Sequence, residues 1–223
     1  MSRTLSFAPG EYYHIYNRGT DKRIIFNNDY DRNRFLVLLY LANSSHGFQI
    51  RTDVGRKLSD YFNDDRGETL VDVCCYCLMP NHFHVLVKEK VEGGITKFLL
   101  KLKTSYSSYY NKKNERKGTL FETTFKAEHV DNDNYLKYLF SYIHLNPVKL
   151  IDPAWKENGV RDFNDSYNFL KQYEYSSYLD YLNDDRVQKV IIDQKTLPEY
   201  FVDRNAVENE IFDWLNFKKD IVV

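Results

Sequence analysis

A chain of 223 residues with 43% hydrophobic and 28% charged side chains is long enough to bury a core unaided, and its composition excludes fibrous and disordered classes. The formal net charge of −1 excludes a uniformly basic surface, but the charge is unevenly placed: residues 1–151 carry 22 Lys and Arg against 17 Asp and Glu, whereas residues 152–223 carry 9 against 15. There is no run of 18 apolar residues and no charged-then-apolar leader, and Cys74, Cys75 and Cys77 are too close and too few for a disulfide framework, so the expectation is a cytoplasmic protein with no membrane partner.

Tyr12 to Arg18 (YYHIYNR) is aromatic and β-branched between Pro9-Gly10 and Gly19, which predicts a first strand. From Asp29 to Ala42, Phe35, Leu38, Leu39 and Ala42 recur at helical spacing behind the candidate caps Asn27 to Asp29, predicting a first helix. Phe48 to Val54 reads as a second strand, and the polar stretch Gly55 to Thr69 as an exposed loop or hairpin tip. Leu70 to Leu78 and His82 to Lys88 are two β-rich runs joined through Met79-Pro80-Asn81, an antiparallel pair by the shortness of the connection. Ile95, Phe98, Leu99, Leu102, Tyr106, Tyr109 and Tyr110 follow the 3.6-residue period, so Ile95 to Asn111 is a second helix with a lysine-rich outer face. Leu120 to Val130 is extended in character. A third helix runs from Tyr135 to about Asn146, capped by Asp131 to Asn134 and ended by Pro147. The order β-α-β-β-β-α-β-α describes an α+β sandwich, helices laid on an antiparallel sheet. Residues 1–151 form one domain by this reading, and 152–223 an acidic, mostly helical C-terminal extension.

The sharpest local feature is Pro80-Asn81-His82-Phe83-His84. Side chains two apart on a strand point the same way, so His82 and His84 can present imidazoles to one metal ion while Phe83 turns into the core. On the third helix Tyr135, Leu139, Tyr142 and Asn146 share a face, and Tyr142 and Asn146, four apart, aim a phenol and an amide at one small volume. By spacing alone Tyr142 is equally a core ring, as Leu136, Phe140 and Ile143 are, and an Asn before Pro equally a helix cap. The densest basic stretch holds Lys97, Lys101, Lys103, Lys112, Lys113, Arg116, Lys117 and Lys126 against Glu115 and Glu122 only, a footprint for phosphates. The 19 Tyr and 15 Phe exceed what a core needs. A soft set, Cys75, Cys77, His82 and His84, offers structural zinc as an alternative use of the same strands.

Taken together, the H-F-H and Y-I-H-L-N-P-V-K segments, with Y-H-I-Y-N-R-G, C-L-M-P-N-H-F-H-V-L-V and L-F-E-T-T-F-K, resemble the IS200/IS605-like tyrosine transposases, and within them the group associated with repetitive extragenic palindromes. The resemblance covers roughly residues 10–151. It implies a ferredoxin-like sheet, a His-hydrophobe-His site for Mg²⁺ or Mn²⁺ completed by Asn146, and Tyr142 as the nucleophile. The implied reaction cuts single-stranded DNA beside a hairpin or palindromic repeat through a 5′-phosphotyrosine, with Lys126 and the lysines of the second helix on backbone phosphates and Tyr109 and Tyr110 stacking on bases. Family members differ in whether the tyrosine serves its own or a partner's histidines, so a homodimer stays open. The alternative from another class is a hairpin-binding protein that acts by occupancy without cutting.

Overall fold

The computed structural model describes residues 5–51, 55–182, 185–201 and 203–216. Strand β1 (Tyr12–Arg18) leads through α1 (Asp29–Ala42) to the hairpin β2 (Val71–Met79) and β3 (His82–Glu89), then α2 (Gly94–Lys113), β4 (Lys126–Val130) and α3 (Asp133–Leu145). The strands form one antiparallel sheet in the order β2-β3-β1-β4. This is the β-α-β-β-α-β pattern of a ferredoxin-like fold, followed by a further helix on the opposite face.

Alternation divides the sheet into two chemical faces. Phe83, Val85 and Val87 of β3 with Tyr13 and Ile15 of β1 join α1 and α2 in one buried cluster. On the other face Cys75, Cys77 and Leu86 join Leu136, Leu139, Phe140 and Ile143 of α3. A β-bulge between Val73 and Cys75 switches the phase of β2, so that Val73 before it and Tyr76 and Leu78 after it all serve the α1/α2 side.

The β2-β3 turn at Pro80-Asn81 is held from outside. The Pro80 carbonyl accepts from Ile25 N (3.0 Å) and Phe26 N (3.2 Å), and the Asn81 carbonyl from Gly19 N (2.9 Å). His82 therefore starts its strand from a fixed point. Helix α1 begins at the Asn28 side chain, which accepts from Asp31 N, and α3 at Asn132, which accepts from Tyr135 N. Pro147 cannot donate the next helical hydrogen bond, and the chain tightens into a 3₁₀ turn over Asn146–Leu150.

Two sequence expectations are corrected. Phe48–Arg51 is not a strand, and residues 52–54 of that expected element lie outside the described residues. Phe48 and Ile50 pack against the core, but the Arg51 backbone bonds to the Tyr61 hydroxyl (2.8 Å each way), because residues 175–177 already occupy the outer edge of β2. There Leu78 N donates to Tyr175 O (2.9 Å) and Ser177 N to Tyr76 O (3.0 Å). Nor is the polar stretch 55–69 simply an exposed tip: a 3₁₀ segment, Leu58–Asn63, buries Tyr61 and Phe62.

The C-terminal residues fold onto this frame through α4 (Trp155–Asn158), α5 (Phe163–Leu170), α6 (Tyr178–Leu182) and α7 (Arg204–Asn216). Tyr178, Tyr181, Phe201, Val207 and Ile211 complete the α3 cluster, and the Phe140 and Phe201 rings stack at 4.0 Å. Beneath them the Ser177 hydroxyl accepts from Tyr76 N (2.8 Å) and bonds His144 Nε2 (2.8 Å). Buried Asp180 takes Arg186 Nε at 2.9 Å and the Tyr76 hydroxyl at 2.7 Å.

Phe83 fixes which face His82 and His84 present, and its fully buried ring lies 5.0 Å from Phe35. Phe83→Ala is expected to lower the unfolding free energy by about 3–5 kcal/mol, read as a lower urea midpoint with an unchanged slope; a loss near zero would mean that this face is not the anchoring one.

Candidate active site

The register places His82 opposite Arg18 and His84 opposite Tyr16 on β1, and Glu128 opposite His14 and Lys126 opposite Tyr16 on β4. All seven face the side that carries α3. Where α3 crosses this face, His14, Tyr16, Arg18, His82, His84, Glu128, Tyr142, Asn146, Lys149 and Lys156 line one cavity of about 430 Å³. Three sequence-predicted elements thus converge: the paired histidines of β3, the tyrosine of α3 and the asparagine at its end.

The imidazoles are pre-set. His84 is 6% exposed, and its Nδ1 lies 2.9 Å from Nε2 of His14, itself 4% exposed. His82 Nδ1 lies 2.6 Å from the Asn81 side-chain oxygen, which can only accept, so His82 carries its proton on Nδ1. Both rings therefore keep Nε2 for an external partner if His84 Nδ1 likewise donates, to His14. Behind His14 stands Glu128, its Oε2 3.8 Å from His14 Nδ1. Burial works to raise the Glu128 carboxyl, but hydrogen bonds from the Tyr16 and Tyr135 hydroxyls outweigh it and hold the group lowered. Burial pulls His82 to about 4, helped by the charges of Arg18 and Lys149, and pulls His84 well below the ordinary imidazole value, helped by His14 and His82. The site thus offers neutral imidazole lone pairs at neutral pH.

Tyr142 meets the His84 ring edge-to-face at 5.6 Å within the same chain. Burial raises its phenol, while the Asn146 amide and the charge of Lys149 act to lower it. Asn146 Nδ2 also donates to the Tyr142 carbonyl at 2.9 Å, which commits the amide nitrogen and leaves Oδ1 as a donor atom toward a cation. Lys156 Nζ sits 3.8 Å above the Tyr142 ring.

As a metal site the set is partial. Among the described residues no three His, Cys, Asp or Glu side chains converge to hold an ion. Two imidazole Nε2 atoms and one amide oxygen make three donors that fit a divalent cation only with oxygen ligands from substrate or water, and each histidine has the outer partner that such ligands use to fix their orientation. The zinc alternative is not assembled. Cys75 and Cys77 are wholly buried beneath α3, and burial pushes both thiols up, the opposite of what thiolate ligation needs.

The expected DNA-binding residues divide. Lys126 lines the cavity, 5.8 Å from the Tyr16 ring. The others belong to α2 or the turn after it, on the opposite face of the sheet. Lys101 donates to the Ser44 and His46 carbonyls, Lys103 to Thr123 O (2.9 Å), Lys113 pairs with buried Asp31 (2.5 Å) and Arg116 donates to Asn111 Oδ1 (2.7 Å). Lys97 and Lys112 are exposed. Tyr109 and Tyr110 do not offer free rings for base stacking: their hydroxyls bond Asp31 (2.6 Å) and Ile24 O (2.9 Å), and Arg34 covers the Tyr109 ring at 4.3 Å. A helical period cannot say which of two layers a helix joins.

The geometry is that of one tyrosine and a His-hydrophobe-His pair on a four-stranded sheet, and the model of the family "Transposase IS200 like" matches residues 10–146. The chain belongs to this family. Among solved structures, this IS200-like transposase matches a REP-associated tyrosine transposase bound to a REP hairpin, with a TM-score of 0.52 and 10% identity over 82% of this chain and 85% of that one. At that identity the likeness is one of fold, and it extends past residue 146 into the C-terminal helices. No curated protein matches the chain.

Of the cavity lining, sequence reasoning missed His14, Tyr16, Arg18, Glu128, Lys149 and Lys156. His14, Tyr16 and Arg18 could have been found by the alternation that placed His82 and His84, and Lys149 lies in the N-P-V-K segment. Lys156 left no signal.

The histidines make acid stability diagnostic. Burial depresses His14 and His82 to about 4 and His144 to about 3, so below their ordinary value near 6.5 the unfolded chain binds protons that the folded chain refuses. Their folded values being lowered, the unfolding free energy should fall as pH drops from about 6.5 towards 4. Urea titrations across that window should show a fall that is shallower in His82→Gln; a flat profile would mean that the imidazoles are solvated.

Proposed function

We propose that the protein is a tyrosine transposase that binds single-stranded DNA carrying a hairpin and cuts it through a covalent 5′-phosphotyrosine on Tyr142. The observation that carries this reading is the convergence of Tyr142, His82, His84 and Asn146 on one cavity rimmed by Arg18, Lys126, Lys149 and Lys156. A cavity with four cationic side chains suits a phosphodiester, and one aimed phenol makes the nucleophile. The hairpin partner is supported by the REP hairpin bound to the solved relative of this fold. Membership of the family supports a transposase; the cavity supports the cutting step.

Arg18, Lys126 and Lys149 would seat the phosphate backbone, and the cavity walls would hold the scissile phosphorus in line with the Tyr142 oxygen. The Tyr142 oxygen forms the new bond to phosphorus as the bond to the 3′-oxygen breaks. The phenol proton passes to solvent, and the departing 3′-oxygen takes a proton from water. The phosphodiester energy is kept in the phosphotyrosine, so a second 3′-hydroxyl can reverse the step and join a different end without a nucleotide cofactor. His82, His84 and Asn146 would hold Mg²⁺ or Mn²⁺, which when bound supplies positive charge to the phosphate oxygens. His14 fixes the His84 ring, and Glu128 stands behind His14.

The test uses single-stranded hairpin oligonucleotides from the DNA flanking the protein's own gene, with Mn²⁺ or Mg²⁺. Tyr142→Phe is expected to abolish the covalent adduct while hairpin affinity stays near wild type; a wild-type chain that binds hairpins and never forms an adduct would instead be a protein that acts by occupancy. His82→Ala and His84→Ala should each slow cutting by at least about 10²-fold with little loss of binding, and unchanged rates in both would sink the metal assignment. Affinity should drop steeply with added salt, since several phosphates are neutralised.

A further inference from the structure

We propose that Lys156, contributed by the segment that follows the family-matched region, is a catalytic residue that contacts the scissile phosphate beside Tyr142. This rests on the reading of Tyr142 as the nucleophile.

Residue 156 lies ten positions beyond the end of the family match at 146, and chain direction alone brings it back. After the 3₁₀ turn, Ile151 N and Asp152 N both donate to Val148 O, at 3.0 and 2.8 Å. Buried Asp152 accepts from Arg161 N (2.9 Å) and meets the Arg161 guanidinium at 3.4 Å. Trp155 buries its ring in the α3 cluster. These contacts fix α4, and its next residue, Lys156, is directed over the phenol.

Among the described residues the ammonium has no hydrogen-bond acceptor and no ion-pair partner; it meets the face of the Tyr142 ring, 3.8 Å from Nζ. Lysines held by the fold elsewhere find a carboxylate or carbonyl, as Lys113 finds Asp31 and Lys103 finds Thr123. Lys156 finds an aromatic face instead. Its side chain keeps an exposed flank, while burial, with the charge of Lys149, lowers its ammonium to about 8 against a raising contribution from neighbouring Glu157, so it remains largely charged at neutral pH. The carboxylates of the cavity, Glu122 and Glu128, come from β4 and the segment before it, and Glu128 is taken up by the Tyr16 and Tyr135 hydroxyls. A cation set over a phenol with no direct ion pair among the described residues is placed to receive an anion there. The anion that arrives at a phenol attacking phosphorus is the phosphoryl group, whose oxygens come to lie one phenol length from the ring that Nζ already covers. As Tyr142 attacks, negative charge gathers on those oxygens, and a fixed ammonium stabilises that charge more than the ground-state diester. Lys156 transfers no proton; its contribution is electrostatic.

The test is made on the full chain with the same hairpin oligonucleotides. Lys156→Met keeps the aliphatic stem over Tyr142 and removes only the charge. Adduct formation is expected to slow by about 10–10³-fold, with hairpin affinity changed only a few-fold and thermal stability retained. Lys156→Arg should recover part of the rate, which a packing role shared by Met would not predict. An independent readout needs no turnover: in the Tyr142→Phe chain with ¹³C-methylated lysines, the Lys156 signal, assigned by its loss in Lys156→Arg, should shift when the oligonucleotide binds. Wild-type rates in Lys156→Met, or a Lys156 signal that stays put in the bound complex, overturn the proposal while leaving Tyr142 as the nucleophile. If instead the signal shifts but wild type forms no adduct, the phosphate contact stands, and both the cutting reaction and the catalytic role of Lys156 fall.

Discussion

The site depends on the alternation of one central strand. β3 lies between β1 and β2, so it is bonded on both edges and covered on both faces. Phe83, Val85 and Val87 are drawn into the α1/α2 core, and this forces His82 and His84 to the other side. A slip of one residue would reverse every one of these positions, and two devices oppose it: the backbone clamp on Pro80 and Asn81 at one end and the phase-switching bulge at Cys74 on the neighbouring strand. The histidines are thus oriented by groups that take no part in chemistry.

On that face the chain assembles a polar cluster whose members correct one another. His84 is buried deeply enough to stay neutral, His14 is within hydrogen-bonding distance of its inner nitrogen, and the Glu128 carboxylate faces His14 while two tyrosine hydroxyls satisfy its oxygens. The result is an uncharged pair of nitrogens set beside four cations, so in the proposed reaction neither a cation nor a phosphate would first have to displace protons from the imidazoles.

Much of this was legible in the sequence because short-range periodicity governed it. β1 and α1 have the predicted bounds, α2 and α3 begin and end close to the predicted residues, and the shared face of Tyr142 and Asn146 follows from helical phase. What was not legible depended on long-range pairing. Phe48 and Ile50 have the alternation of a strand, but residues 175–177, more than a hundred positions away, hold the β2 edge. The α2 lysines look like a footprint along the chain, yet the helix packs on the far face and several of its cations are bonded within the protein. Lys149 and Lys156 surround Tyr142 by virtue of a turn at Pro147 whose direction no local pattern encodes.

The burial of α3 on two sides sets what is free to move. Between the sheet, through Cys77 and Leu86, and the C-terminal helices, through Phe201, Val207 and Ile211, the helix has little unattached surface beyond the strip that opens on the cavity. Displacing it as a body would uncover Leu136, Leu139, Phe140 and Ile143, at about 1.5–3 kcal/mol for each large side chain, and would break the His144–Ser177 bond. In the proposed strand exchange the component that moves past this chain is therefore the nucleic acid, arriving at and leaving a tyrosine whose helix is held on two sides.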